Sequence, residues 1–147
     1  MFKDLIEKKR VGFAEGFNCW EDAVRAAAQP LLRDEAIAEC YVDAMIECIK
    51  KFGPYIVIAP DVAMPHAQGV NGVKETSISF MKVDRPVRFG ESKEHDARLI
   101  FVLASVDNDS HLDMLQALVA AISDEDILAQ LPTITCIGDL QKILLQK

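Results

Sequence analysis

The stretch Tyr55-Ile56-Val57-Ile58-Ala59-Pro60-Asp61-Val62-Ala63-Met64-Pro65-His66-Ala67 decides how the chain is read. Tyr55 to Ala59 are β-branched, aromatic or small, the composition of a buried strand. Pro60 has no N–H to donate and ends ladder pairing there. Pro65 fixes its own φ and biases Met64 towards extended geometry, so the backbone enters His66 stiffly. A stiff approach loses little entropy when a side chain is to be held for chemistry. His66 is therefore read as a nucleophile pushed out of a proline-bounded corner.

Working outward, Gly53-Pro54 stops a helix predicted from Asp34 to Phe52. Its apolar face is Ile37, Cys40, Tyr41, Ala44, Met45, Cys48, Ile49 and Phe52, and Lys50 and Lys51 suit the negative end of its dipole. Upstream, Asn18 and Glu21 have capping-box spacing and open an amphipathic helix through Trp20, Ala23, Val24, Ala27 and Leu31. Pro30 marks a kink or early stop in it. Val11, Phe13 and Phe17 fit a short strand or a packed loop.

Downstream, Asn71-Gly72 is a turn, and Thr76 to Val83 reads as a strand with Ile78 and Phe80 inward and Ser77 and Ser79 on a wetter face. Asp84-Arg85-Pro86 should turn the chain, leaving Val87 and Phe89 for a short edge strand. Leu99 to Ala104 reads as a central strand covered on both faces. His111 opens a helix with face Leu112, Leu115, Leu118, Val119 and Ile122, and Ser110 and Asp113 have capping-box spacing. A short helix from Asp124 to Leu131, a strand from Thr133 to Ile137 and a helix from Asp139 to Gln146 complete the chain. This interleaving predicts an α/β fold, a mixed sheet of about five strands with helices packed on its faces.

At 147 residues the chain should form one domain, 1–147, with one substantial core. A net charge of −7 without a Lys/Arg cluster excludes a nucleic-acid binder and suits a basic partner face. Cys19, Cys40, Cys48 and Cys136 make no C-x-x-C pair and read as reduced, mostly buried thiols of a cytosolic protein. Met1 to Arg10 is not a signal peptide, and no apolar run approaches the ~20 residues of a membrane helix, so a soluble cytoplasmic protein is expected.

His95 lies in the charged run Glu91-Ser92-Lys93-Glu94-His95-Asp96 and reads as solvated surface. His66 and His111 each follow a predicted strand, and sites of open α/β sheets gather at the carboxyl ends of strands. If those strands are neighbours, the two histidines meet. His111 would also lie at a helix N-terminus, where unpaired N–H groups favour phosphate or another anion. The plain alternative is two ordinary histidines bonded in loops. No H-x-x-x-H or cysteine pair offers zinc ligands, and no G-x-S-x-G, P-loop or dinucleotide fingerprint is present. Met64, Met81 and Met114 read as core filler.

Ala63-Met64-Pro65-His66-Ala67, then Pro86-Val87-x-Phe89, an apolar strand, and His111-Leu112-x-x-Leu115 resemble enzyme IIA of the mannitol–fructose class. That class belongs to the bacterial phosphoenolpyruvate-dependent sugar phosphotransferase system, and the resemblance runs from about Leu5 to Leu145. It implies that His66 takes a phosphoryl group from the phosphocarrier protein HPr and passes it to a cysteine of enzyme IIB, which phosphorylates a sugar entering through the membrane enzyme IIC. It assigns His111, with the N–H groups after it, to stabilising the phosphoryl oxygens, and needs no metal or bound cofactor. Phe52-Gly53-Pro54-Tyr55 and Val57-Ile58-Ala59-Pro60 resemble the ascorbate-type branch. Mannitol-type members carry an arginine where this chain has Cys48, with Lys50 the nearest cation. A regulatory role like that of nitrogen-type enzymes IIA is a second reading, and a metal-dependent hydrolase using His66 and His111 a third.

Overall fold

In the computed structural model, which describes residues 2–69 and 71–144, the uninterrupted apolar run of the sequence becomes the middle of a sheet. In chain order the elements are α1 (Phe2–Glu7), β1 (Val11–Ala14), α2 (Trp20–Arg33), α3 (Glu39–Phe52), β2 (Val57–Ala59) and β3 (Asp61–Ala63). They continue with β4 (Ser77–Arg88), β5 (Asp96–Ala104), α4 (Asn108–Ile122), α5 (Glu125–Gln130) and α6 (Ile137–Leu144). The five strands form one mixed sheet in the order β1-β4-β5-β3-β2. β1 runs parallel to β4 and β3 parallel to β5, while β4–β5 and β2–β3 are antiparallel. This is the α/β mixed sheet that the sequence predicts.

Side chains alternate across a strand, so β5 feeds two cores. Ile100, Val102 and Ala104 pack with residues of α2 and α3, among them Val24, Leu31, Val42 and Met45. Leu99, Phe101 and Leu103 face the other way, towards Met114 and Leu118 of α4, Ile127 of α5 and Leu140 of α6. Phe101 also stacks on Phe80 of β4, ring centroids 4.5 Å apart. Fully burying such a side chain contributes about 1.5–3 kcal/mol, which makes β5 the least movable strand. Met64, Met81 and Met114 are all buried core residues.

Several local expectations are corrected. Tyr55 to Ala59 is not a buried strand: β2 covers Val57–Ala59 at the sheet edge, with Ile58 exposed. Pro60 does end its ladder, but the chain folds straight back as β3. Asp84-Arg85-Pro86 is no turn, since β4 runs through it with a register shift against β5 between Lys82 and Val87. Ser77 and Ser79 face no water; the Ser79 hydroxyl donates to the Ala27 carbonyl of α2 at 2.6 Å. Helix α3 begins at Glu39 rather than Asp34, because Glu35 adopts φ +59° and Ile37 pairs with Val73. Pro30 does not stop α2 early, and the helix continues through it to Arg33.

Neither expected capping box forms. Cys19 caps α2 without a side-chain bond, and Asp107 caps α4 by accepting the Ser110 N–H at 2.7 Å. Thr133 to Ile137 is not a strand: Leu131–Thr133 is a 3₁₀ turn, and α6 already begins at Ile137. The end of the helix predicted to Gln146 lies outside the described residues. Cys19, Cys40 and Cys136 are exposed and Cys48 half-buried, all as free thiols, because Cys19, Cys40 and Cys136 sit at or just before helix starts rather than on apolar faces.

Strand β3 is short and is pinned at its first residue. Asp61 adopts φ +71°, and pairing with β5 shifts register between Asp61 and Val62. Its carboxylate accepts from the Arg98 backbone N–H at 2.8 Å, from Nε at 2.9 Å and from Nη2 at 2.5 Å. Asp61→Ala removes this fork and places alanine in the left-handed region. A loss of about 1–2 kcal/mol in urea-unfolding free energy is expected, the pair being partly exposed.

Candidate active site

The backbone beyond β3 carries the site. The Leu103 N–H of β5 donates to the Pro65 carbonyl at 3.1 Å, extending β3–β5 contact past the end of the named strand. The Met64 N–H donates to the Ile56 carbonyl at 2.8 Å, holding the same segment from the β2 side. His66 thus emerges at the carboxyl end of β3. β5, parallel to it, leads through residues 105–107 into α4, where His111 is the fourth residue. The two imidazoles meet, with centroids 5.1 Å apart and planes tilted by 43°. The adjacency expected from sequence is present, although β3, and not the segment Tyr55 to Ala59, delivers His66.

His66 is half-buried, and its Nδ1 lies 2.6 Å from the Met64 carbonyl oxygen. A carbonyl only accepts, so Nδ1 carries the proton and Nε2 keeps its lone pair. The Tyr55 ring meets the imidazole edge-on at 5.5 Å, and its hydroxyl donates to the His66 carbonyl at 2.9 Å. Burial lowers the His66 pKa from its ordinary value, with the Met64 carbonyl acting in the opposite direction. His111, only 5% exposed, is lowered by burial and then by the neighbouring His66.

The start of α4 corrects one detail of the expected anion site. The His111 N–H donates to the Asp107 carbonyl at 3.2 Å, and the Ser110 N–H is taken by the Asp107 carboxylate. Helix geometry leaves the N–H groups of Asn108 and Asp109, before His111 and not after it, without intrahelical partners.

A cleft of about 360 Å³ opens beside His66, lined also by Cys48, Phe52, Tyr55, Ala67 and Gln68. Cys48 thus lines the same cleft as His66. Lys50 turns instead towards Glu47 at 3.9 Å, and the Lys51 ammonium lies over the Phe52 ring at 5.2 Å. Burial pushes the Tyr55 hydroxyl up to about 12, with Cys48 adding to the shift. His95 is brought elsewhere, half-buried in the 3₁₀ turn Lys93–His95. Among the described residues no group of three or more His, Cys, Asp or Glu could hold a metal ion.

Two tyrosines reach the candidate site that the apolar patterns of the sequence do not single out. The Tyr41 hydroxyl donates to the Leu103 carbonyl at 2.5 Å and accepts the Ala67 N–H at 3.1 Å. The only sequence signal was a tyrosine, rather than phenylalanine, in an otherwise apolar helix stripe. Tyr55 lies in a stretch whose composition reads as strand core, which says nothing of its hydroxyl.

This architecture has close counterparts among solved structures. The mannitol-specific cryptic phosphotransferase enzyme IIA of Escherichia coli superposes with a TM-score of 0.88 at 29% identity, covering 99% of both chains. A complex of the mannitol enzyme IIA with phosphorylated enzyme IIB from the same organism gives 0.81 at 24% identity, covering 95% of this chain and 96% of that one. By fold the chain thus groups with the enzyme IIA phosphotransferases. Residues 4–147 match the family model of the phosphoenolpyruvate-dependent sugar phosphotransferase system, EIIA 2, and the chain belongs to that family. It is accordingly a phosphotransferase-system phosphocarrier, of a family that works through a phosphohistidine intermediate. The ascorbate-specific PTS system EIIA component of Escherichia coli K12 is 28% identical over 123 residues, 83% of this chain and 80% of that protein. Its counterpart in Salmonella choleraesuis is 29% identical over 122 residues, covering 82% and 79%. Among the described residues no helix is long and apolar enough to cross a membrane.

Lowered histidine pKa values set a pH window. Between the folded-state values and the ordinary ~6.5, the unfolded chain binds more protons than the native one, so stability rises with pH there. NMR titration should place both imidazole midpoints below 6.5, and unfolding free energy should fall as pH is lowered through that value.

Proposed function

We propose that His66 is the phosphoryl acceptor, taking the group from HPr and passing it to a cysteine of a cognate enzyme IIB in the cytoplasm. The observation that carries this reading is the Nδ1–H bond to the Met64 carbonyl, which leaves Nε2 unprotonated for in-line attack on phosphorus. The lowered pKa supports it by keeping the imidazole neutral near pH 7. As Nε2 bonds phosphorus, the donor's P–N bond breaks, and the reverse exchange with a thiolate sulfur discharges the carrier. His111 and the leading N–H groups of α4 stabilise the phosphoryl oxygens.

Phe52, Tyr55, Val106 and Leu112 are exposed apolar side chains near the two histidine-bearing segments, a surface suited to transient docking. Ascorbate or a related carbohydrate is the proposed cargo of the system, supported by the ascorbate-specific relatives and the Phe52-Gly53-Pro54-Tyr55 resemblance. The membrane enzyme IIC would then complete uptake.

Intact mass after incubation with phosphoenolpyruvate, enzyme I and HPr tests this reading. One acid-labile phosphoryl group is expected on wild type and none on His66→Ala; full labelling of His66→Ala would refute the assignment. His111→Ala should still accept phosphate but transfer it about a hundredfold more slowly. Partner binding that depends on phosphorylation, with no phosphate reaching an enzyme IIB, would instead favour the regulatory role.

A further inference from the structure

One peptide group, the His66 carbonyl with the Ala67 N–H, is held at both ends by tyrosine hydroxyls. Tyr55 donates to its oxygen at 2.9 Å, and Tyr41 accepts from its nitrogen at 3.1 Å. Tyr41 is 1% exposed and passes its own proton to the Leu103 carbonyl at 2.5 Å, so the second grip is anchored in the central strand. The preceding peptide is fixed as well, because the Pro65 carbonyl accepts the Leu103 N–H. Both peptide planes flanking the His66 Cα are therefore set from β5 and α3. The imidazole is then set by Nδ1 on the Met64 carbonyl.

We propose that Tyr41 and Tyr55 are positioning residues for phosphoryl transfer, their hydroxyls clamping the His66–Ala67 peptide so that the ring keeps Nδ1 on Met64 and Nε2 free. The role rests on His66 being the phosphoryl acceptor. Neither hydroxyl touches the reacting atoms in this arrangement. The clamp acts through ring orientation and tautomer, which for an attacking nitrogen decide whether the lone pair meets phosphorus in line. Two tyrosines, Tyr41 in α3 and Tyr55 in the turn before β2, are needed because the peptide is a donor at one end and an acceptor at the other. Phenylalanine would fill either space and supply neither bond.

Tyr55→Phe and Tyr41→Phe test this, with transfer from phosphorylated HPr followed over a range of HPr concentrations. Each variant should lower kcat about tenfold with KM unchanged, since the ring and its apolar surface remain. Long-range proton–nitrogen NMR of the unphosphorylated protein should show a single Nδ1–H tautomer of His66 in wild type and a mixture in the variants. Wild-type kcat in Tyr55→Phe, or a raised KM at unchanged kcat, overturns the clamp. The same holds for an unaltered tautomer in both variants. Tyr55 is 40% exposed, so Tyr55→Phe carries the test even if Tyr41→Phe does not fold. A wild type that takes no phosphoryl group on His66 overturns the carrier assignment and this role together; a labelled wild type with unaffected variants overturns the role alone.

Discussion

The parallel contact between β3 and β5 is the constraint on which the site depends. β5 is buried on both faces, so its position is fixed by two cores at once. β3 has only three residues and cannot hold a position by itself. It borrows rigidity from β5 at both ends, through Asp61 on Arg98 at the start and Pro65 on Leu103 beyond its last residue. The same strand, running in the same direction, then hands the chain to α4. Two histidines forty-five positions apart thereby leave neighbouring strand ends on one side of the sheet, with no contact between their own elements needed to bring them together.

That logic also explains what could be read in advance. The run Leu99 to Ala104 and the stripes of α2 and α3 are long enough for periodicity to identify them. β2 and β3 are three residues each, below the length at which any pattern forms, and Pro60 between them looked like an end rather than a hairpin corner. β4 continues through Pro86 because its register against β5 shifts there and the Arg85 N–H donates to the Glu15 carbonyl on the other side, an accommodation that composition does not announce. The meeting of His66 and His111 was legible because position at strand ends is a topological signal. The hydroxyls of Tyr41 and Tyr55 were not, since an aromatic residue in an apolar stripe looks the same whether or not its polar tip finds a partner.

The cleft raises the question of charge. A phosphoryl group on His66 would bring about two negative charges to a protein that already carries −7. None of the described residues lining the cleft is a lysine or arginine, and Cys48 stands there instead of a cation. Lys50 and Lys51 are engaged with Glu47 and Phe52. Among the described residues, what remains at the site is His111 and the leading edge of α4, whose N–H groups and dipole contribute about 0.3–1 kcal/mol per charge, and the Asp107 and Asp109 carboxylates oppose even that.

A weakly compensated phosphohistidine is consistent with the role proposed for this chain. A carrier works by giving its group away, so stabilisation of the loaded state that is not shared by the transition state slows the onward step. Orientation has no such drawback, because a fixed ring lowers the barrier in both directions equally. A site that invests in holding the imidazole through backbone hydrogen bonds, and little in binding the phosphoryl charge, therefore loads and unloads with similar ease. On this argument a cleft lined without lysine or arginine is tolerated where the peptide after the histidine is gripped, and introducing a cation at Cys48 would lengthen the life of the phosphorylated state at the expense of its transfer rate.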